Sequence, residues 1–159
     1  MGVIETIKEK FGNKVDIFEK SSKRVYISID KNYIKEIMQL IFRDLGARFS
    51  IASGLDNPGY MEILYHMAFD KHNLFVTVKT QVGKPELEID SITSVVPGAE
   101  WIEREMNELL GIKFKGHPDL RRVLLYEKFE GHPLRKDYPT LGEQPRLLLR
   151  NPEQDNGSV

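Results

Sequence analysis

The sequence of 159 residues contains no cysteine. That absence excludes disulfides, a thiol nucleophile, cysteine-ligated iron–sulfur clusters and the usual cysteine-based zinc sites. We therefore expect no cofactor and no metal in this chain. Any redox cluster that works with it must be held by another polypeptide.

An excess of charge of one sign is missing as well. The 23 basic side chains nearly balance the 24 acidic ones, and the net charge is −1. No global field then favours nucleic acid or an anionic membrane, so partner choice must depend on local patches. The abundance of Lys, Glu and Arg without cysteine is typical of thermophiles.

Long apolar runs and nucleotide motifs are also absent. The most apolar segment, around 34–42, is interrupted by Lys35 and Glu36, and no run of about 18 uncharged residues is available to span a bilayer. Residues 1–12 carry acidic side chains and lack the apolar core of a signal peptide, so we expect no export. Without a G-x-G-x-x-G or P-loop motif, NADH binding is not expected. His66 and His72 are interpreted as ordinary structural residues.

Hydrophobic periodicity predicts two helices and five strands before residue 92. The helices are 3–11 and 33–45, the second capped by Asp30 or Asn32 and ended by Gly46. The strands are expected at 14–19, 23–29, 47–54, 60–69 and 73–82, the first two as a hairpin and the last three as an antiparallel meander. The fold class is therefore α+β, an antiparallel sheet of about five strands with two helices on one face, in a domain over 1–92.

A third helix is predicted after Pro97, with Gly111 as its terminator. Its apolar side consists of Trp101, Ile102, Met106, Leu109 and Leu110. Its other side is charged, and Glu100, Arg104 and Glu108 have the i,i+4 spacing of surface ion pairs.

An irregular segment follows, with five prolines and three glycines over 116–152. It is too long for an ordinary connection, yet it keeps apolar residues that a disordered tail lacks. We predict that 93–152 is a helix plus an extended, irregular C-terminal arm that folds against a partner protein. Residues 153–159 are predicted to be a disordered tail.

Two similar units within the arm carry the clearest pattern, Gly-His-Pro followed by leucine and two cations. The glycine permits a tight bend, and the proline pushes the preceding histidine towards an extended conformation. Arginine after such a kink suits bidentate hydrogen bonds to another chain. The units are His117, Pro118, Leu120, Arg121 and Arg122, and then His132, Pro133, Leu134, Arg135, Lys136, Asp137 and Tyr138.

Two other functions are weighed against docking. A free-standing metalloenzyme would use His117 and His132 with Asp119 or Asp137, although the histidines lack helical ligand spacing. Nucleic-acid binding would use the cations of the two units, but no aromatic stacking motif accompanies them. Both are disfavoured against a protein interface.

The segments 101–125 and 129–139 resemble the signature of the 30 kDa (C) subunit family of respiratory complex I. The resemblance implies a non-catalytic scaffold subunit in the hydrophilic arm of a membrane-bound, ion-translocating redox complex. It implies partners, namely the large 49 kDa-type (hydrogenase-like) subunit and a small cluster-bearing subunit, and a peripheral place on the cytoplasmic side of the membrane. Iron–sulfur clusters, and a nickel–iron centre in hydrogenase-type members, would lie in those partners. The partner-binding residues would be Glu103, Arg104 and Glu105 of the helix together with the residues of both Gly-His-Pro units.

Departures from the family pattern bear on which complex is expected. The link to the second Gly-His-Pro unit lacks a glycine often found there, and the chain after Pro139 soon becomes polar. With the thermophile-like composition, these features make an archaeal membrane-bound hydrogenase or a sulfur-reducing relative the leading expectation. A complex I-type enzyme that transfers electrons from NADH or another donor to quinone is the alternative.

Overall fold

The computed structural model describes residues 2–139. Its helices are α1 (Val3–Phe11), α2 (Ile34–Met38, continued by a π-helical turn, Gln39–Asp44) and α3 (Glu100–Leu110). Its strands are β1 (Val15–Ser21), β2 (Arg24–Ile29), β3 (Arg48–Asn57), β4 (Tyr60–Phe69), β5 (Leu74–Gly83), β6 (Glu88–Asp90) and β7 (Lys113–Lys115). The expected disordered tail, 153–159, and the end of the expected arm, 140–152, lie outside the described residues.

Five strands form the main sheet in the order β1-β2-β5-β4-β3. The hairpin of β1 with β2 and the antiparallel meander of β3, β4 and β5 are both confirmed. One pairing differs from the expectation, because β2 lies parallel to β5 in the middle of the sheet. The chain crosses the sheet through α2 before β3, which places the meander's last strand beside the hairpin. The α+β class is thus confirmed with a mostly antiparallel sheet.

Local sequence signals account for the ends of α2. The Asp30 carboxylate accepts a hydrogen bond from the Asn32 backbone N–H at 2.9 Å, so Asp30 is the capping residue of the turn that leads into the helix. Gly46 follows the helix with φ +72, a conformation that favours glycine. The predicted helix is confirmed, but its last six residues wind as a π-helix.

One face of the sheet carries the core. Met61, Ile63 and Tyr65 of β4 alternate with partly exposed neighbours and are completely buried, as period-2 side-chain alternation requires. Helices α1, α2 and α3 contribute buried residues to the same cluster. The cluster also continues across residue 92 through Ile92 and Val96, while the boundary at 92 stays a prediction.

A second, two-stranded parallel sheet pairs β6 with β7. Each of these strands has only three residues, which is too short for a periodic pattern, so neither strand was predicted. They hold the chain on both sides of α3 together. Within residues 2–139, no helix is both long and apolar enough to cross a membrane.

Candidate docking surface

Helix α3 is the platform on which the described part of the arm, residues 116–139, is laid. Gly111 ends the helix with φ +77, and its N–H donates to the Asn107 carbonyl at 3.0 Å. The Asn107 side chain then donates to the Ile112 carbonyl at 2.9 Å. The chain leaves α3 in a defined direction towards β7 and the first Gly-His-Pro unit.

The first unit attaches to the beginning of α3. His117 Nδ1 accepts from the Asp119 backbone N–H at 3.0 Å, so the proton of the neutral ring is on Nε2. Nε2 lies 3.1 Å from the Glu100 carbonyl oxygen and donates to it. The histidine is therefore a hydrogen-bonding link to its own chain.

The second unit attaches to the end of the same helix. His132 Nδ1 lies 2.9 Å from the Glu108 carbonyl oxygen and donates to it, and the Leu134 N–H donates to the Leu109 carbonyl at 3.0 Å. These carbonyls belong to the last turn of α3, where no helical N–H is available to them. The arm thus supplies hydrogen-bond donors to two carbonyl groups at the end of the helix.

The positions of the two histidines argue against the metalloenzyme hypothesis. Their helix contacts are eight residues apart, about 12 Å along the axis. One ion cannot bind both rings at that separation. No group of three or more metal-ligating side chains is found among residues 2–139.

Arg104 of α3 and Arg122 of the first unit donate to backbone carbonyls of the arm. Arg104 donates from Nε to the Arg121 carbonyl at 2.9 Å, and its guanidinium lies 4.9 Å from the Trp101 ring centroid. Arg122 donates from Nη1 to the Tyr126 and Phe129 carbonyls at 2.9 and 2.7 Å. The expected i,i+4 ion pairs of Arg104 are not formed in this part of the chain, because its donors are used on the arm.

Two further cations pair with neighbouring carboxylates. Arg121 donates from Nε and Nη2 to the Asp119 carboxylate, with an Nη2–Oδ2 distance of 2.7 Å. These hydrogen bonds hold the pKa of Asp119 well below its ordinary value. Arg135 lies 3.1 Å from Asp137. Bidentate pairing with another chain, expected for both arginines, stays a prediction.

The end of the described arm is tied to the main sheet through Asp56 of β3. This buried carboxylate accepts from the Lys136 backbone N–H at 2.7 Å and from Lys84 Nζ at 2.5 Å. Burial raises the pKa of Asp56, but those two donors outweigh burial and the net shift is downwards. Tyr138 closes the turn by donating to the Glu130 carbonyl at 3.3 Å and stacking on Phe129.

Glu103, expected in the partner-binding set, is completely buried. Its carboxylate accepts from Ser91 Oγ at 2.6 Å and from the Ile92 N–H at 2.9 Å. Burial raises the pKa of Glu103 to about 7, against the lowering effect of these hydrogen bonds. A side chain enclosed in this way cannot contact a partner directly, so its expected role is corrected to an internal one.

The other expected partner-binding residues differ in exposure. Glu105 is half-buried on α3, and Leu120 packs against the core. Pro118 is exposed, and Pro133 is half-buried. Direct partner contact by these four residues stays a prediction.

Two acidic residues of the site escaped sequence analysis. Glu108 lies on α3 with 5% of its surface exposed, and its carboxylate accepts from the N–H groups of Val123, Leu124 and Leu125. Asp56 meets Lys136 across 80 residues of chain. The helical spacing of the sequence predicted a surface ion pair for Glu108. Nothing in the sequence around Asp56 distinguishes it from other carboxylates that lie near loops.

Four large apolar or aromatic side chains of α3 and the arm are exposed. Leu124, Leu134 and Trp101 are each about 60% exposed, and Tyr126 is 45% exposed. Polar neighbours of these side chains are hydrogen-bonded within the chain, whereas the side chains themselves are 45–61% exposed in the part of the chain that the structure describes. We call Trp101, Leu124, Tyr126 and Leu134 the docking surface.

Comparison with known proteins gives a consistent picture. The family model described as the respiratory-chain NADH dehydrogenase 30 kDa subunit matches residues 27–144. The C subunit of the NADH-quinone oxidoreductase of Rhodopseudomonas palustris (strain TIE-1) is 43% identical over 122 residues, which are 73% of this chain and 59% of the relative. The corresponding protein of Bartonella bacilliformis is 37% identical over 142 residues, 86% of this chain and 69% of the relative. The chain thus spans about 59% of the length of the first of these relatives.

Two solved structures have a similar fold. A chain in the membrane-bound sulfane sulfur reductase, an archaeal respiratory membrane complex, superposes with a TM-score of 0.80 at 19% identity, over 88% of this chain and 85% of that one. A trypsin-resistant fragment of Nqo5 gives a TM-score of 0.63 at 22% identity, over 75% of this chain and the whole fragment. At these identities the likeness concerns the fold alone.

Proposed function

Because this chain belongs to the family of the respiratory-chain NADH dehydrogenase 30 kDa subunit, we propose that it is a non-catalytic scaffold subunit of a membrane-bound, ion-translocating redox complex. Its arm docks the large 49 kDa-type subunit, and the domain keeps that subunit in register with the small cluster-bearing subunit. The chain contributes geometry, and electron transfer takes place in its partners.

The observation that carries this proposal is the contrast between the inside and the outside of the arm. Inside, histidine, arginine and carboxylate side chains hydrogen-bond to backbone groups of the arm and of the end of α3. Outside, the docking surface presents large apolar side chains to solvent. Apolar side chains held on a hydrogen-bonded frame are typical of the centre of a protein interface.

The absence of cysteine supports a role without electron transfer. A cluster needs thiolate ligands, which this chain does not have. Iron–sulfur clusters, and a nickel–iron centre if the complex is of hydrogenase type, would therefore lie in partner subunits. The protein would sit peripherally on the cytoplasmic side of the membrane.

The leading parent complex is of the hydrogenase or sulfur-reducing type from an archaeal thermophile. The fold likeness to the sulfane sulfur reductase chain is consistent with this choice, as is the charged, cysteine-free composition. A complex I-type enzyme is the second candidate, and the 37–43% identity to NADH-quinone oxidoreductase proteins favours it. Mass spectrometry and nickel analysis of the complex purified from native membranes decide between them.

Docking predicts that charge on the docking surface blocks assembly. In the variant Leu124→Asp with Leu134→Asp, a carboxylate replaces each exposed leucine, and burying it against a partner carries a large desolvation cost. We expect the variant to fold but to lose co-purification with the other subunits, measured by affinity capture from membranes.

The matched control is Phe18→Asp with Ile51→Asp, two similarly exposed apolar residues on strands β1 and β3 of the main sheet. The control is expected to assemble like the wild type. If the arm variant assembled fully while remaining folded, docking through this surface would be wrong.

A further inference from the structure

Glu108 occupies an unusual position between α3 and the arm. Oε2 accepts from the N–H groups of Val123 and Leu124, both at 3.0 Å, and Oε1 accepts from the N–H of Leu125 at 2.5 Å. Three successive amides thus surround one buried carboxylate. The backbone carbonyl oxygen of Glu108 also accepts a hydrogen bond from His132 Nδ1.

The charge of Glu108 is stabilised in this position. Burial by itself raises the pKa of the carboxyl, but the three amides and the nearby Arg122 guanidinium outweigh burial, and the net pKa is lowered. Hydrogen bonds to an ionised acceptor are roughly twice as strong as those between neutral groups. The turn 123–125 is therefore held by a charged anchor.

The turn controls where Leu124 is placed. Val123 and Leu125 are half-buried on either side, whereas Leu124 is 59% exposed at the tip. With its own N–H and both flanking N–H groups bound to Glu108, the backbone under Leu124 cannot rotate without breaking charged hydrogen bonds. The backbone therefore directs the Cα–Cβ bond of Leu124 outwards.

We propose that Glu108 is the positioning residue of the docking surface, holding Leu124 ready to enter an apolar pocket of the partner protein. This inference rests on the proposed docking function. The pocket is expected to be bordered by a carboxylate or carbonyl oxygen, because exposed Arg122 donates only from Nη1 within residues 2–139, leaving Nε and Nη2 for a partner. The partner binds a preformed turn and so avoids the cost of ordering it.

The anchor is tested first in the isolated full chain by NMR. The amide proton shifts of Val123, Leu124 and Leu125 should titrate together, with one midpoint below the ordinary Glu pKa, since all three report the same carboxylate. Glu108→Gln should abolish this titration and speed hydrogen exchange of the three amides about tenfold or more. The control Glu127→Gln removes an exposed carboxylate of the same arm and should leave the three amides unchanged.

Positioning is tested second by a double-mutant cycle on docking. The full chain is titrated with the parent complex prepared without this subunit. Glu108→Gln and Leu124→Ala should each weaken binding about tenfold, and the double variant should lose little more than either single one, because Glu108 acts through Leu124. A general folding role would instead give additive losses.

The outcomes separate the two proposals. If Glu108→Gln frees the three amides but binds like the wild type while Leu124→Ala binds weakly, positioning is overturned and docking stands. If both single variants bind like the wild type, positioning through Leu124 is overturned, and docking is then decided by the variant Leu124→Asp with Leu134→Asp. If the wild-type amides do not titrate together, the anchor itself is refuted, and this last result needs no variant.

Discussion

At the scale of single residues, three buried carboxylates differ because their surroundings differ. Asp56 and Glu108 receive backbone and charged donors, and their pKa values are lowered despite burial. Glu103 is enclosed more completely, and burial raises its pKa to about 7. Residue type alone therefore does not determine which acid is charged at neutral pH.

Glu103 predicts a pH dependence of stability. Its folded-state pKa lies above the unfolded value, so the folded chain binds the proton more tightly between these values. Stability from this group is present at acidic pH and is lost as pH rises towards about 7. We expect the free energy of unfolding to fall by roughly 3 kcal/mol across that range from this group alone, measured by urea titration at several pH values.

The matched variant is Glu103→Gln, which keeps the shape of the side chain and cannot ionise. Ser91, Tyr65 and Lys35 face this group from the neighbouring segment, the sheet and α2. We expect the variant to lose the slope and to be more stable than the wild type at pH 8. An unchanged slope would mean that Glu103 is not its source.

At the scale of elements, α3 determines where the arm lies, because the arm is hydrogen-bonded to both ends of this helix. His117 donates a hydrogen bond to a backbone carbonyl at the start of the helix, and His132 donates one to a carbonyl in the last turn. Gly111 is required where the second unit crosses, because a Cβ there would lie 2.7 Å from the His132 ring. The helix end and the arm are therefore built as one unit.

Gly111→Ala should loosen this junction. The variant has the strain of a left-handed residue, roughly 1–2 kcal/mol, and in addition the contact with His132. The matched control is Gly116→Ala, which has φ +76 but open space around the added methyl group. We expect the Gly111 variant to lower the melting temperature more than the control, and equal losses would show that the His132 contact costs nothing.

At the scale of the whole molecule, the sheet and α3 share one core. Ile89 and Ile92, which precede α3, are completely or nearly completely buried with the sheet residues, as are Leu110 and Phe114 at and after its end. A Cβ on Gly54 of β3 would overlap the Leu110 side chain, which illustrates how closely the two elements pack. The segment after 92 therefore contributes to the core of the sheet as well as supporting the arm.

Truncation after residue 92 should consequently destabilise the sheet. The fragment 1–92 would expose the part of the core that α3 covers, and its apolar surface would be hydrated. We expect weak near-UV circular dichroism, poor amide dispersion and binding of a hydrophobic dye. A cooperative unfolding transition matching that of the full chain would instead support an independent domain that ends at 92.

Local signals in the sequence determined most of the secondary structure of this protein. Alternation and helical spacing predicted the five strands, all three helices and the stops at Gly46 and Gly111, because these patterns depend on neighbours a few residues apart. The repeated Gly-His-Pro units are also local patterns of the sequence. The resemblance to the family was seen in the segments that contain them.

Only the tertiary structure decided which distant groups meet. The parallel pairing of β2 with β5, the β6–β7 ladder and the contacts of Asp56 and Glu108 join segments between 15 and 80 residues apart. Nothing in the pattern around a carboxylate says whether it will face water, a cation or a row of backbone amides. That choice follows from the packing of the whole chain, in which every buried charge must find donors somewhere in the fold.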